Sequence, residues 1–205
     1  PYDLGDWYIP TVGSPDLEPE TTIAYEFGLR TRPSSNYLLS FTLYYKDMYD
    51  YIASVVYDAD PTEYARFENM DYANSKGVTI ALSKRASAKV SGNVDYTYSV
   101  SEGNASDPAA AFNDEASNIE PEKMLVPLDW DQRHTLNTTL TYHPIKNSGV
   151  GIIFSYGSGL PYTTQYLGVR TSFENNARKP STFNVDLRSY YHFQLSGIKM
   201  SLSMN

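Results

Sequence analysis

The sequence predicts an all-β protein, an antiparallel, up-and-down transmembrane β-barrel segment of roughly eight long strands. Three observations predict it. Apolar and polar residues alternate with period two through most of the chain, and no segment sustains a 3.6-residue period. The alternating runs exceed the about 5–6 residues usual in globular strands and approach the about 9–11 that a tilted strand needs to cross a bilayer. Short and long connections take turns along the chain.

Each run can be justified in order. Ile23 to Thr31 opens the series and sets Glu26 and Arg30 on its polar side. Tyr37, Leu39, Phe41, Leu43 and Tyr45 alternate with Leu38, Ser40, Thr42, Tyr44 and Lys46. Val78 to Lys84 is a third run. Ala88 to Val100 is the clearest: Val90, Val94, Tyr96, Tyr98 and Val100 oppose Lys89, Ser91, Asn93, Asp95, Thr97 and Ser99. Leu136, Leu140 and Tyr142 share one face, with Thr135, Asn137, Thr139 and Thr141 on the other. Val150, Ile152, Phe154 and Tyr156 follow. Phe183, Val185, Leu187, Tyr191 and Phe193 oppose Asn184, Asp186, Arg188, Tyr190 and His192. Ile198, Met200, Leu202 and Met204 close the pattern against Lys199, Ser201 and Ser203.

The short connections are 32–36, 85–87, 143–148 and 194–197, and they carry the Gly, Pro, Asn and Ser that tight turns demand. The long ones run from about 47 to 75, 102 to 131 and 157 to 181. Outer-membrane barrels have this anatomy, with short turns at one end and long loops at the other. Within the second long connection, the Ala-rich stretch Pro108 to Ala116 is expected to form a short helix.

Composition bounds the function. The 205 residues include 19 Tyr, 8 Phe and 2 Trp. Tyr37, Tyr45, Tyr96, Tyr98, Tyr142, Tyr156 and Tyr191 all fall on the apolar face, many near a strand end. Aromatic girdles sit there because the ring is apolar and the hydroxyl seeks water. Charges cannot share that face, since a lipid-facing Arg or Lys costs about 2–4 kcal/mol at the midplane. Glu26, Arg30, Lys89, Asp95, Asp186 and Arg188 are therefore the lumen-facing candidates, with Arg30 and Arg188 expected to join Glu26 and Asp186 in an ion-pair network. A net charge of −8 argues against a general nucleic-acid binder, and the lack of cysteine excludes disulfides and thiolate chemistry. The apolar face implies outer-membrane lipid as a partner. A soluble sandwich explains the alternation but neither the strand lengths nor the order of connections.

Candidate chemistry is sparse, and no enzyme activity, cofactor or metal is expected. His134, His143 and His192 are the only histidines. The topology puts His134 at the loop end and the other two at the turn end, about 30 Å away. A hydrolytic site would need His134 with Asp129 or Asp131. Asp58-Ala59-Asp60 begins like a calcium loop but lacks the glycine at position six, so it reads as a solvated acidic loop. Gly157-Ser158-Gly159 lacks the Lys-Ser/Thr of a phosphate loop and reads as a strand exit.

Several segments resemble one family. Ser14-Pro15-Asp16-Leu17-Glu18-Pro19-Glu20 followed by Ile23-Ala24-Tyr25-Glu26-Phe27-Gly28-Leu29 is similar to the Asn-Pro-Asp-Leu-Lys-Pro-Glu…Tyr-Glu-Leu-Gly segment of TonB-dependent outer-membrane receptors, departing at Ser14 and Glu18. Leu43 to Ile52 resembles that family's strand end ahead of an extracellular loop. Asn74 to Ile80 resembles its Gly-Val-Glu strand start, with Thr79 in place of Glu. Leu128 to Asn137 and Ser158 to Thr163 are similar to a subgroup with an N-terminal carboxypeptidase-regulatory-like domain. The shared order is more specific than any one motif.

The resemblance implies a 22-stranded barrel with a plugged lumen. Residues 1–205 would be its C-terminal part, clipped at both ends and without the plug domain. It implies a Gram-negative outer-membrane location. It also implies a nutrient ligand of unknown identity, captured at extracellular loops, and partnership with the plug and the TonB complex through a missing N-terminal part. The alternative is a stand-alone eight-stranded outer-membrane barrel with a structural or adhesive role.

Overall fold

The computed structural model describes residues 10–59, 62–87, 89–107, 109, 124–167 and 169–204. The stretch expected to be helical, 108–116, lies almost wholly outside the described residues, as do Asp60 and Pro61 of the calcium-like motif.

Eight long strands form one sheet: β1 (Thr21–Ser34), β2 (Tyr37–Ala59), β3 (Thr62–Ser87), β4 (Val90–Gly103), β5 (His134–Tyr142), β6 (Ser148–Gly157), β7 (Thr182–Leu195) and β8 (Ile198–Met204). Each pairs antiparallel with its sequence neighbours, so spatial order equals chain order. The strands β1 to β7 run 9 residues or more, long enough to span the hydrocarbon when tilted, and β8 is described over 7. Among the described residues β1 and β8 pair with nothing on their outer sides, so the sheet is open.

The register carries the period-two pattern across every seam. Phe27 faces Leu43, Leu43 faces Val78, Val78 faces Tyr98, Tyr96 faces Leu136, Leu136 faces Tyr156, Tyr156 faces Phe183 and Tyr191 faces Leu202. A one-residue slip at any seam would move charges into this face. No second layer covers it: Phe27 is 63% exposed and Phe183 74%. A water-soluble sheet would hide such a surface, whereas lipid requires it. The buried apolar residues are few, among them Ala53, Ala65, Ala73, Val126 and Leu128, and they gather at the loop end.

Turn chemistry closes the other end. Ser196 and Gly197 both have positive φ, 48° and 85°, as a two-residue hairpin loop needs to match strand twist. Pro33 sits where the β1–β2 register shifts between Thr31 and Ser34, so its missing N–H costs no ladder bond.

The connection expected at 47–75 is itself sheet. β2 and β3 continue beyond their neighbours as a two-stranded arm, paired out to Ala59 and Thr62, with a bulge where Asp50 takes a φ of 61°. Its residues explain this: Tyr51, Ile52, Val55, Val56, Tyr57, Tyr64 and Phe67 are β-branched or aromatic. Tyr57 and Tyr64 stack across the pair at 5.4 Å. Among the described residues the other two long connections carry two-residue strands only. Val126–Pro127 pairs with β4, Pro161–Tyr162 pairs with Ala177–Arg178, and Gln165–Tyr166 pairs with Val169–Arg170.

Candidate functional site

The polar face makes one wall of the sheet, opposite the exposed apolar face. Following the register, Glu26, Arg30, Asp95, Asp186 and Arg188 all fall on it. Lys89 lies in the turn before β4, outside the ladder. The expected ion-pair network does not form among the described residues. Arg30 donates instead to Ser40 Oγ at 3.3 Å, Asp186 accepts from Asn184 Nδ2 at 3.0 Å, and Asp95 accepts from Asn93 Nδ2. Geometry is the reason. Residues four apart on a strand, such as Glu26 and Arg30, are about 13 Å apart, and β1 and β7 lie at opposite sides of the sheet.

What lines the wall instead is a set of neutral cross-strand pairs. Ser75 and Ser101 hydroxyls meet at 2.9 Å, Thr79 and Thr97 at 3.0 Å, and Ser83 donates to Asn93 Oδ1 at 2.5 Å. Two tyrosines lie flat over glycines. Tyr44 covers Gly77 and Tyr190 covers Gly149, each directly across the ladder, and a Cβ at either glycine would meet the ring within 2.8 Å.

The histidines divide as the topology requires. His134 points to the apolar side at the loop end, where its Nδ1 meets the Tyr96 hydroxyl at 2.8 Å and its ring packs 5.2 Å from Tyr98. At the turn end His143 Nδ1 lies 3.3 Å from the Tyr190 hydroxyl, and the Tyr190 ring lies 5.0 Å from His192. Neither carboxylate proposed to work with His134 bonds to it. Asp129 Oδ1 accepts from Asn175 and Asp131 from two arginines, so no Asp–His pair assembles. Among the described residues no three His, Asp or Glu side chains gather to hold a metal.

The Asp131 cluster fastens the loops to the sheet. Its carboxylate is fully buried. It accepts from the Ser101 backbone N–H at 2.8 Å, from Arg133 Nε at 2.7 Å and from Arg178 Nη2. Arg178 Nη1 also donates to the carbonyls of Asp131 (2.7 Å) and Gly159 (3.3 Å), tying the third long connection to the second. Arg133 continues to Glu102 at 3.6 Å, and Glu102 to Lys76 at 3.7 Å. Asn175, at φ 56°, donates to Pro127 O and Asp129 Oδ1, both at 2.8 Å. Asn tolerates this left-handed conformation better than most residues. Sequence reading noted Asp131 only as a possible partner of His134 and missed Arg178 and Asn175. The Asp-x-Arg spacing of Asp131 and Arg133 was a usable signal, since residues two apart share a strand face. Nothing local marks Arg178.

The segment ahead of β1 runs along the arm. Thr11 and Val12 pair in parallel with Ala65 and Arg66. Arg66 donates to Ser14 Oγ at 2.9 Å and pairs with Asp16 at 3.2 Å. Asn69 accepts from the Glu18 N–H at 2.8 Å and donates to the Glu18 carbonyl at 2.9 Å and the Asp50 carbonyl at 2.6 Å. The Ser14-to-Glu20 motif thus anchors this segment to the arm's side.

Solved structures share the architecture at low sequence identity. The ferric-catecholate import receptor Fiu of Escherichia coli K12 aligns over 86% of this chain and 22% of its own, with a TM-score of 0.58 at 15% identity. The FrpB iron transporter of Neisseria meningitidis aligns over 94% of this chain and 28% of its own, with a TM-score of 0.60 at 11% identity. The outer membrane transporter YddB of Escherichia coli aligns over 90% and 27%, with a TM-score of 0.60 at 10% identity. The chain spans about a quarter of the length of these proteins. No curated protein matches it. The family described as TonB dependent receptor-like, beta-barrel matches residues 1–205, and the chain belongs to that family.

Proposed function

We propose that this chain forms part of an outer-membrane active transporter in a Gram-negative bacterium. The transporter captures a large or scarce nutrient at its extracellular loops and imports it with energy supplied through TonB. The observation that carries this reading is the family match over the whole chain, joined to an open antiparallel sheet with one exposed apolar face and one polar face. Of the structural relatives, Fiu is a ferric-catecholate import receptor and FrpB an iron transporter. The acidic composition here weighs against a strongly anionic cargo by like-charge repulsion. A plug domain and a TonB contact would lie outside this segment, and the lumen candidates Glu26, Arg30, Lys89, Asp95, Asp186 and Arg188 would face that plug or the cargo. A small self-closed barrel is the weaker reading, since β1 and β8 do not pair among the described residues.

The test is the intact mass of the native protein extracted from its own envelope, followed by in-cell crosslinking to TonB. The expected result is a mass several times 23.1 kDa and a TonB adduct. A native mass of 23.1 kDa would overturn the transporter reading.

A further inference from the structure

The four short turns with their flanks, 32–36, 84–89, 143–148 and 194–199, hold Arg32, Lys84, Arg85, Lys89, Lys146 and Lys199 and no Asp or Glu. In a chain of net charge −8 this gathers one sign at one end. Glu26, Asp95 and Asp186 sit within strands, and the other acidic residues precede β1 or fall in the three long connections. We propose that this basic collar binds the anionic phospholipid headgroups of the leaflet that surrounds the turn end. Its place at a membrane surface rests on the transporter reading, in which short turns lie on the periplasmic side.

The backbone holds the collar in line. The Arg85 N–H donates to the Asn36 carbonyl at 2.9 Å, the His143 N–H to the Lys89 carbonyl at 2.8 Å and the His192 N–H to the Asn147 carbonyl at 2.8 Å, so each turn is bonded to the next hairpin. Successive turns lie two strands apart, about 10 Å, which is about one Debye length at roughly 0.1 M salt. Charges at that spacing repel one another weakly and all gain from an oppositely charged surface. Tyrosines fix the depth. Tyr37 opens β2 and Tyr142 closes β5, both on the apolar face and 38% and 46% exposed. Such rings settle at a membrane boundary because the hydroxyl seeks water. The basic residues come just beyond them, at headgroup level. Lys84 Nζ lies 5.7 Å from the Tyr37 ring centroid and donates to the Val90 carbonyl at 2.7 Å, so its stem follows the apolar face while its charge stays at the boundary. Arg85, Lys89 and Lys146 are exposed. Ile145, beside Lys146, is 60% exposed, an apolar neighbour that suits a lipid and that a free anion would not need. Lys199 stands apart from this set, since it lines a hollow on the polar face with His192 and Asn147.

The experiment presents the native protein, purified in a nonionic detergent, with phosphatidylglycerol and phosphatidylcholine of matched acyl chains, and counts the retained lipids by native mass spectrometry. Phosphatidylglycerol should be retained in preference, and the preference should fall as sodium chloride is raised. Arg85→Gln and Lys89→Gln together should cut phosphatidylglycerol affinity on the order of 25-fold, about fivefold per charge, and leave phosphatidylcholine retention unchanged. Lys146→Gln, in a separate turn, should cut it about fivefold alone and serves should the double variant not fold. Lys179→Gln removes the same charge at the loop end and should leave the preference intact. Equal retention of the two lipids, unchanged retention in the turn variants, an equal loss in Lys179→Gln, or displacement by millimolar inorganic phosphate at constant ionic strength would each overturn the proposal. No TonB or cargo takes part, so a failed import assay leaves this site standing, and a lost lipid preference leaves the transporter reading standing.

Discussion

A carboxylate at position 131 with no access to water is tolerable only because two guanidinium groups and a backbone N–H surround it. Removing one partner leaves the charge stranded. Arg178→Ala should cost about 2–3 kcal/mol, less than the about 3–5 of a wholly buried pair, because a third of the Arg178 side chain remains in water. Hydrogen exchange should report this as faster exchange in 126–133 and 175–178 with the strand ladders unchanged; uniform acceleration across the sheet would refute a local role. The glycines under tyrosines give a second residue-scale expectation. The three atoms nearest a Cβ at Gly149 all belong to the Tyr190 ring, which can swing aside, whereas at Gly77 the nearest is the Tyr98 carbonyl at 2.5 Å. Gly77→Ala should therefore destabilise by about 1–3 kcal/mol and Gly149→Ala by less. Thermal unfolding in detergent ranks the two, and the reverse order would contradict the packing described.

The arm is the element that the sequence least disclosed. The run 47–75 reads as a long loop because its acids and tyrosines obscure a strict alternation, and its bulge at Asp50 shifts the phase. Period-two counting fails across such a shift, although the β-branched and aromatic content was there to be read. The eight strands were legible because one wet face and one lipid face impose alternation on every residue. The Asp131 cluster was legible only in its Arg133 arm, because Ser101, Arg178 and Asn175 lie far away in sequence and the connections they join lack periodicity. The arm also has a pH signature. Asp71 has a carboxyl raised above its ordinary 3.8 by burial, so the folded arm favours its protonated form. That contribution is fully present below the ordinary value and is lost as pH rises through the elevated one. Protease cleavage of the arm should thus increase from pH 4 towards neutrality, and Asp71→Asn should remove the dependence. An unchanged profile in that variant would assign it elsewhere.

Across the whole molecule, stability depends on which side of the sheet meets which solvent. Leu140 and Thr139 are sequence neighbours on opposite faces. Leu140→Arg should cost about 2–4 kcal/mol in a bilayer, while Thr139→Arg on the lumen side should cost little. Folding into lipid vesicles, followed by heat-modifiable gel mobility, measures the difference, and equal penalties would mean the faces are misassigned. The open edges carry an expectation of their own. Among the described residues β1 and β8 present unpaired backbone groups that cannot face hydrocarbon unsatisfied, so the 205 residues expressed alone should aggregate rather than yield a compact, heat-modifiable species.

The arm's length has a consequence for how a cell displays this protein. From Tyr49 to Ala59, at about 3.3–3.4 Å per residue, β2 and its partner β3 extend roughly 35 Å past the end of β1, comparable to the thickness of the bilayer's hydrocarbon. A stiff ribbon of that reach would be the first part met by an antibody or an adsorbing phage. Pressure to vary would then fall on the outermost pairs, Asp58 with Glu63 and Ala59 with Thr62. Exposure to the outside would thereby concentrate at the tip of a single hairpin.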